Sequence, residues 1–494
     1  GRNGTELLDV AEHAGRLRSK TPQLKQPLFT LERAPALAQS GLPAVSPYAR
    51  NETRLTAGKV FLYTRLILRK SIPMSEQTTS VDATIVPAVA APTLEATLQQ
   101  KRTALGLISG CHVLNHLQYS ITAVIFPVMM AELGFGLVGL GFLSALSSFV
   151  GQGLQVIYGF LANFFRRTAM LAVGNVVVGA TAMAQYFITG YPQLVAARVA
   201  IDAGSSPQHP LGSSILSRYY PQARGWALTF HHSAGNLGSF IGPAAASLAL
   251  LYMDWRAAFV LFGALSLLMG LSLFWVRDHG EATGGSAGRK AKAGFDAYRQ
   301  CLNNRNIVVT SLVLMVGAAG RGTGINMVYL VPFFMAQYGI SAASGGILLT
   351  LLQGAGLVGP LAIAWFSDRI GKRRSVTQIT LALSALTTVM FPHHASMNLL
   401  FYVNLLLYGA VVQARGALTQ TMIGDFASEE LTDAAFSIYY FIGFISGPIW
   451  TMIVGYVMQH YGFAPAFYIA AGTYIAGMLL LMFVNEDVKP AKAT

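Results

Sequence analysis

From Ala104 to Val484 the chain is a series of apolar stretches, each roughly 20 residues or longer, separated by short loops that hold the charges. A helix of about 20 residues rises about 30 Å, the thickness of a bilayer's hydrocarbon core. Twelve such stretches fit, at roughly 104–131, 137–162, 168–190, 192–217, 224–251 and 256–276, then 306–337, 342–367, 375–395, 397–424, 433–459 and 463–484. Composition agrees: 11% of residues are charged, against about 25% in a soluble domain. Glycine and proline recur inside the stretches, where transmembrane helices tolerate them. The expected fold class is an all-α membrane protein with twelve transmembrane helices in two six-helix bundles. The bundles are residues 101–276 and 306–485, joined by a polar linker, 277–305, with a flexible basic run, GGSAGRKAKAG, and followed by a short tail, 486–494.

Residues 1–100 read differently. The first 73 hold twelve Lys/Arg and five Asp/Glu and no run long enough to span. At Met74 the composition changes to a polar leader rich in Ser, Thr, Ala and Pro. The break suggests a disordered or non-native extension with a natural start at Met74. The alternative is a basic tail in which Val60–Lys70 lies on an anionic membrane surface. Without the first 73 residues the net charge falls from +13 to +6, so the charge does not argue for nucleic acid. Cys111 and Cys301 have no metal-ligand spacing and no expected disulfide.

Lys and Arg collect at the ends of the even-numbered stretches: Arg166–Arg167, Arg218 and Arg224, the linker, and Arg369–Arg374. The opposite loops hold one basic residue, Arg256. By the positive-inside rule both termini are cytoplasmic, and the expected location is the inner (plasma) membrane. One cytoplasmic loop, Asp425–Asp433, is acidic instead. The halves also repeat at an offset of 205 residues: Pro127 maps to Pro332, Gly134 to Gly339, Asn163 to Asp368, and Gly238, Gly242 and Pro243 to Gly443, Gly447 and Pro448. A parallel repeat of six helices plus six is a transporter architecture, with substrate near the midplane between halves.

The segment Trp365–Ser375, WFSDRIGKRRS, places an acid, an arginine, a glycine turn and a basic run between two helices. It resembles the signature loop of the major facilitator superfamily. The first-half counterpart, GFLANFFRRT at Gly159–Thr168, has Asn163 where the family has an acid. Gly238–Pro243 and Gly443–Pro448 carry G-x-x-x-G-P and resemble part of the family's antiporter motif, although Ala246 replaces its final glycine; simple helix packing explains them equally well. His209-Pro210 and the stretch around Asn236 resemble the fosmidomycin-resistance-like branch. The resemblance implies a cytoplasmic gate. In the family the first-half loop meets the start of the eleventh helix, and the second-half loop meets the start of the fifth. On that pattern Asn163 is expected to avoid like charge, Arg166 and Arg167 to pair with Glu429, Glu430 and Asp433 when the cytoplasmic side closes, and Asp368, next to Arg369, to pair with Arg224; the alternative is that Glu429–Asp433 is a solvated loop.

A charge at membrane depth needs a partner or water. The third, sixth, ninth and twelfth stretches hold no confident internal charge, and in the family those helices are peripheral. Arg198, Asp202 and His209 share one face of the fourth stretch. Arg198–Asp202 is a structural pair or, functionally, an anion site beside a proton-coupling acid, with His209 a second proton carrier. His116 and Tyr119 lie with His112 and Asn115 on one face of the first stretch and read as cavity wall. Arg321, with no nearby acid, is the leading anion candidate. Arg415 and Gln353 complete the expected substrate-binding set. No nucleophile–base pair, metal set or phosphate loop is apparent, so neither an enzyme nor a cofactor is expected. The expected function is proton-coupled efflux of a small organic solute, anionic or drug-like, by a monomer whose partners are substrate, protons and the lipid bilayer. Uptake of a carboxylate metabolite is the alternative, and a non-transporting membrane sensor or scaffold the rival of another class.

Overall fold

A computed structural model describes residues 96–162, 164–277, 296–317, 325–428 and 431–486. The N-terminal extension with Met74, most of the linker, and the residues Asn163, Arg321, Glu429 and Glu430 lie outside the described residues, as does the side chain of Asp433.

The described helices form twelve consecutive passes. The first half holds α1 (Leu98–Leu133), α2 (Leu137–Leu161), α3 (Arg167–Ala184), α4a (Tyr191–Ser205) with α4b (Gln208–Tyr219), α5 (Arg224–Tyr252) and α6 (Trp255–Ser272). The second holds α7a (Arg305–Val316) with α7b (Leu330–Tyr338), α8 (Ala342–Ile370), α9 (Arg373–Met390), α10 (Leu399–Phe426), α11 (Thr432–Tyr461) and α12 (Phe463–Leu480). Ten passes contain a single helix long and apolar enough to cross a bilayer. The other two are each described as two shorter helices. The fourth breaks at Pro207, which has no backbone N–H to donate; there Ser206 Oγ donates to the Asp202 carbonyl at 2.7 Å and the Gly151 carbonyl at 2.6 Å. The seventh enters α7b through a π-helical turn at Ile325–Tyr329.

Local chemistry sets the boundaries. Thr97 and Gln100 form a reciprocal capping box at the start of α1, with Gln100 N–H donating to Thr97 Oγ1 at 3.2 Å. Gly134 and Gly339, equivalent in the repeat, end α1 and α7b with φ of 69° and 63°. Gly371 ends α8 in the same left-handed conformation, as the signature loop requires.

The repeat extends to packing. A side chain at Gly238 on α5 would meet the Val113 carbonyl of α1, and one at Gly443 on α11 would meet Leu314 of α7a. Both G-x-x-x-G-P helices thus press against the first helix of their own bundle. On α3, α6, α9 and α12, large apolar side chains such as Val173, Leu268, Leu386 and Leu479 are exposed, as suits helices facing lipid.

The two bundles meet at one end. Call the end carrying the start of α1 the linker end, and the other the far end. At the far end the Val138 N–H of α2 donates to Gln459 Oε1 of α11 at 2.8 Å. The Tyr329 hydroxyl donates to the Thr451 carbonyl at 2.8 Å and sits where side chains at Gly141 and Gly455 would be. Gly346 of α8 faces Ser247 and Val124, and at mid-depth Gly354 faces Phe240. One core cluster runs through both bundles, from Leu117 and Phe126 to Tyr329 and Leu348. A second, with Leu105, Leu171, Leu216 and Leu273, belongs only to the linker-end half of the first bundle. Phe160, Phe164, Phe165, Trp226 and Phe230 are exposed at that end.

Candidate functional site

α1 presents a polar ladder to the seam. From the linker end it carries His112, His116, Tyr119 and Thr122, spaced three or four apart so that all fall on one face. α4a meets the upper part of the ladder with Arg198, whose Nη1 donates to Thr122 Oγ1 at 3.2 Å and whose Nη2 reaches Asp202 Oδ1 at 3.3 Å. The Arg198 side chain is 3% exposed and Asp202 14%. Arg198 Nε has no protein partner among the described residues. A small cavity opens here between the bundles, lined by Tyr119, Phe126, Ser144, Ser147 and Arg198 of the first and Met327 and Val328 of the second. Sequence reasoning singled out Tyr119 and Arg198 and missed the rest. Met327 and Val328 have no polar signature, and Ser147 donates to the Ser144 carbonyl at 3.4 Å, a common bond for a helical serine.

On the second bundle Gln353 is buried, accepts from Gln413 Nε2 at 2.6 Å, and places its own Nε2 3.7 Å from Met327 Sδ. It therefore stands one side chain behind the cavity. Next to Met327, Asn326 accepts from the Tyr408 hydroxyl of α10 at 2.5 Å. Arg415 sits within the second bundle: its Nη1 donates to the Leu314 carbonyl at 3.3 Å and lies against Gly317. It faces α7a, not the cavity lined by Arg198.

Below the cavity lies a histidine cluster. His112 and His116 on α1 are 4.7 Å apart between ring centroids, and His209 at the start of α4b is 4.9 Å from His112. His231 of α5 stacks on His112 at 4.2 Å, and His232 lies 6.1 Å away. Asn115, Asn175 and Gln208 tie α1, α3 and α4b together beneath it, with Gln208 Nε2 donating to the Ile108 carbonyl at 2.8 Å.

At the expected gate, Asp368 pairs with Arg373 of its own loop at 2.6 Å, and Arg373 also pairs with Asp425 at 2.5 Å. Arg369 lies over the Trp365 ring at 5.5 Å. Among the described residues no ion pair joins Asp368 to Arg224.

Two bundles related by a repeat, closed together at one end around a buried cationic seam, define a membrane transporter scaffold. The chain belongs to the Major Facilitator Superfamily, whose family model matches residues 108–320 and 312–494. A D-galactonate transporter of Escherichia coli O6:H1 is 22% identical, over 74% of this chain and 89% of the relative. The fosmidomycin resistance protein of Escherichia coli K12 is 20% identical over 58% of this chain and 70% of its own length. The expected fosmidomycin-resistance branch is thus one distant likeness among others. A crystal structure of a D-xylose-proton symporter superposes with a TM-score of 0.66 at 15% identity, covering 79% of this chain and 99% of that one.

Proposed function

We propose that the protein carries a small organic anion, most simply a carboxylate, together with a proton by alternating access. The observation that carries this reading is Arg198: a buried guanidinium shared between one carboxylate and a cavity at the bundle seam. Arg198 has one positive charge to offer. While Asp202 is ionised, a second anion at Arg198 leaves a net negative charge in low dielectric. Protonation of Asp202 frees the guanidinium for a bidentate substrate carboxylate. Proton and anion then bind together, which makes the pair a symport element. Its direction follows from the imposed gradients.

The likeness to a D-galactonate transporter covers more of the chain than the likeness to the fosmidomycin resistance protein, and galactonate is a carboxylate. This favours the carboxylate reading over drug efflux. Taking the basic end as cytoplasmic, we infer that the far end is periplasmic and that the described conformation faces inward. Tyr119 lines the cavity beside Arg198, with Gln353 behind it and His116 about one helical turn below.

The test is uptake into proteoliposomes of a panel of labelled aldonates and hexuronates, with an inward proton gradient and without one. The reading expects at least one carboxylate to accumulate against its gradient only when the proton gradient is present. Accumulation that ignores the pH gradient, or a panel in which only uncharged solutes move, overturns it.

A further inference from the structure

We infer that His112, His116 and His209 form a binding site for a divalent transition-metal ion of the zinc class, with three imidazole ligands and one open position. Their ligand-capable nitrogens all lie within 4.8 Å of one another. Three imidazoles bound to one zinc, at about 2.0–2.1 Å each, stand about 3.3 Å apart, so side-chain adjustment of an ångström or so closes the set. His112 and His116 are one helical turn apart on α1, which aims both rings at the same point. His209 joins from α4b, directly after the break at Pro207.

Hydrogen bonding presets the lone pair of the central ligand. His112 Nδ1 is 2.8 Å from the His231 backbone carbonyl, which only accepts. Nδ1 therefore carries the proton and Nε2 the lone pair. That Nε2 is buried with no protein partner among the described residues, on a side chain in a residue 1% exposed. Such an atom costs free energy unless something coordinates it. A ring N–H donated to a backbone carbonyl is also the usual support of a metal-bound histidine, because it fixes the tautomer and ring orientation. His116 Nδ1 is 2.8 Å from Ser239 Oγ, a hydroxyl that can accept or donate; when it accepts the ring N–H, His116 Nε2 is left for the ion. A Cβ at Gly235 would occupy the space of the His112 ring. His209 is the most accessible of the three side chains, and His112 the most buried.

The donor set selects the ion. Imidazole nitrogens alone suit Zn, Cu, Ni and Co and give magnesium or calcium little to bind. The ion's charge is left uncancelled by neutral ligands, so the open position favours an anion or hydroxide. None of this depends on Arg198, and the site stands or falls apart from the proposed transport reaction.

The test uses the full chain, purified without a polyhistidine tag, stripped with chelator and titrated with Zn²⁺ against a chromophoric indicator. One ion per chain is expected, with no competition from a large excess of Mg²⁺. Co²⁺ should give the visible absorption of a four-coordinate nitrogen site. His116→Gln and His209→Gln should each weaken Zn²⁺ binding at least about tenfold, and Ser239→Ala by a comparable or smaller factor. His393→Gln, away from the cluster, should leave affinity unchanged. Because His209 is exposed, His209→Gln keeps the packed core intact if His116→Gln fails to fold. Unchanged affinity in His209→Gln, or equal loss in His393→Gln, overturns the site.

Discussion

Arg198 holds its charge with one carboxylate, one hydroxyl and one Nε that has no protein partner among the described residues. If substrate competes with Asp202 for that guanidinium, carboxylate affinity rises as pH falls, since protonation removes the competitor. Asp202→Asn should then bind substrate at neutral pH as tightly as the wild type does in acid, with no remaining pH dependence. It should keep exchange and lose pH-driven accumulation. Binding isotherms across pH check this, and a preserved pH slope in the variant moves coupling away from Asp202. Arg198→Lys keeps charge but loses the planar fork that reaches Thr122 and Asp202 together. A tenfold or greater rise in KM is expected, about 1.4 kcal/mol, with normal abundance in the membrane. The four-residue spacing made this pair legible in the sequence. The direction in which Arg415 faces was not: an arginine within an apolar helix signals burial, but its partner, the Leu314 carbonyl, lies on another helix.

At the scale of the helix, apolar run length and terminal glycines carried most of the information, because crossing a bilayer leaves the backbone few alternatives. The sequence reading of one helix over 192–217 becomes two, α4a and α4b. Pro127, Pro243, Pro360 and Pro448 remain inside unbroken helices, so proline alone does not distinguish a kink from a break. What differs at Pro207 is tertiary: Ser206 bonds to the Gly151 carbonyl of α2 as well as to its own helix. The G-x-x-x-G-P segment yields a sharper expectation. A Cβ at Gly238 would meet the Val113 backbone carbonyl, which has little room to move, whereas Gly153 on α2 has open space. Gly238→Ala should force α1 and α5 apart at a cost of about 1–3 kcal/mol, and Gly153→Ala should be neutral. Thermal unfolding in detergent compares the two, and equal melting temperatures would show that the α1–α5 contact is not tight. The parallel contact of Gly443 with Leu314, a flexible side chain, predicts a smaller loss for Gly443→Ala.

Across the whole molecule, transport by alternating access requires the far-end contacts to open while the linker end closes. At the linker end Asp368 is held by Arg373, and Arg373 by Asp425. Closure would bring the start of α5, with Arg224, toward Asp368, and Arg166 and Arg167 toward the acidic start of α11. Exposed pairs are worth about 0–1 kcal/mol, so Arg224→Glu should raise the linker-end-open population by up to about fivefold without unfolding. Labelling of a cysteine at Phe230, exposed in this state, reads that population, and a charge reversal at Asp368 to Lys should restore it. The far-end seal gives the stricter test. Gly136 lies where a side chain would touch the end of Gln459, and Gln459 also accepts from Val138 N–H across the seam. Cysteines at Gly136 and Gln459, in a background without the buried Cys111 and Cys301, are therefore within reach of a short cleavable thiol cross-linker. The cross-linked protein should hold the far end shut, stop transport, and leave the Phe230 site fully labelled. Cleaving the linker should restore transport to the level of the unlinked double variant. If the cross-linked protein transports at that level before cleavage, substrate does not pass between the far ends of the two bundles.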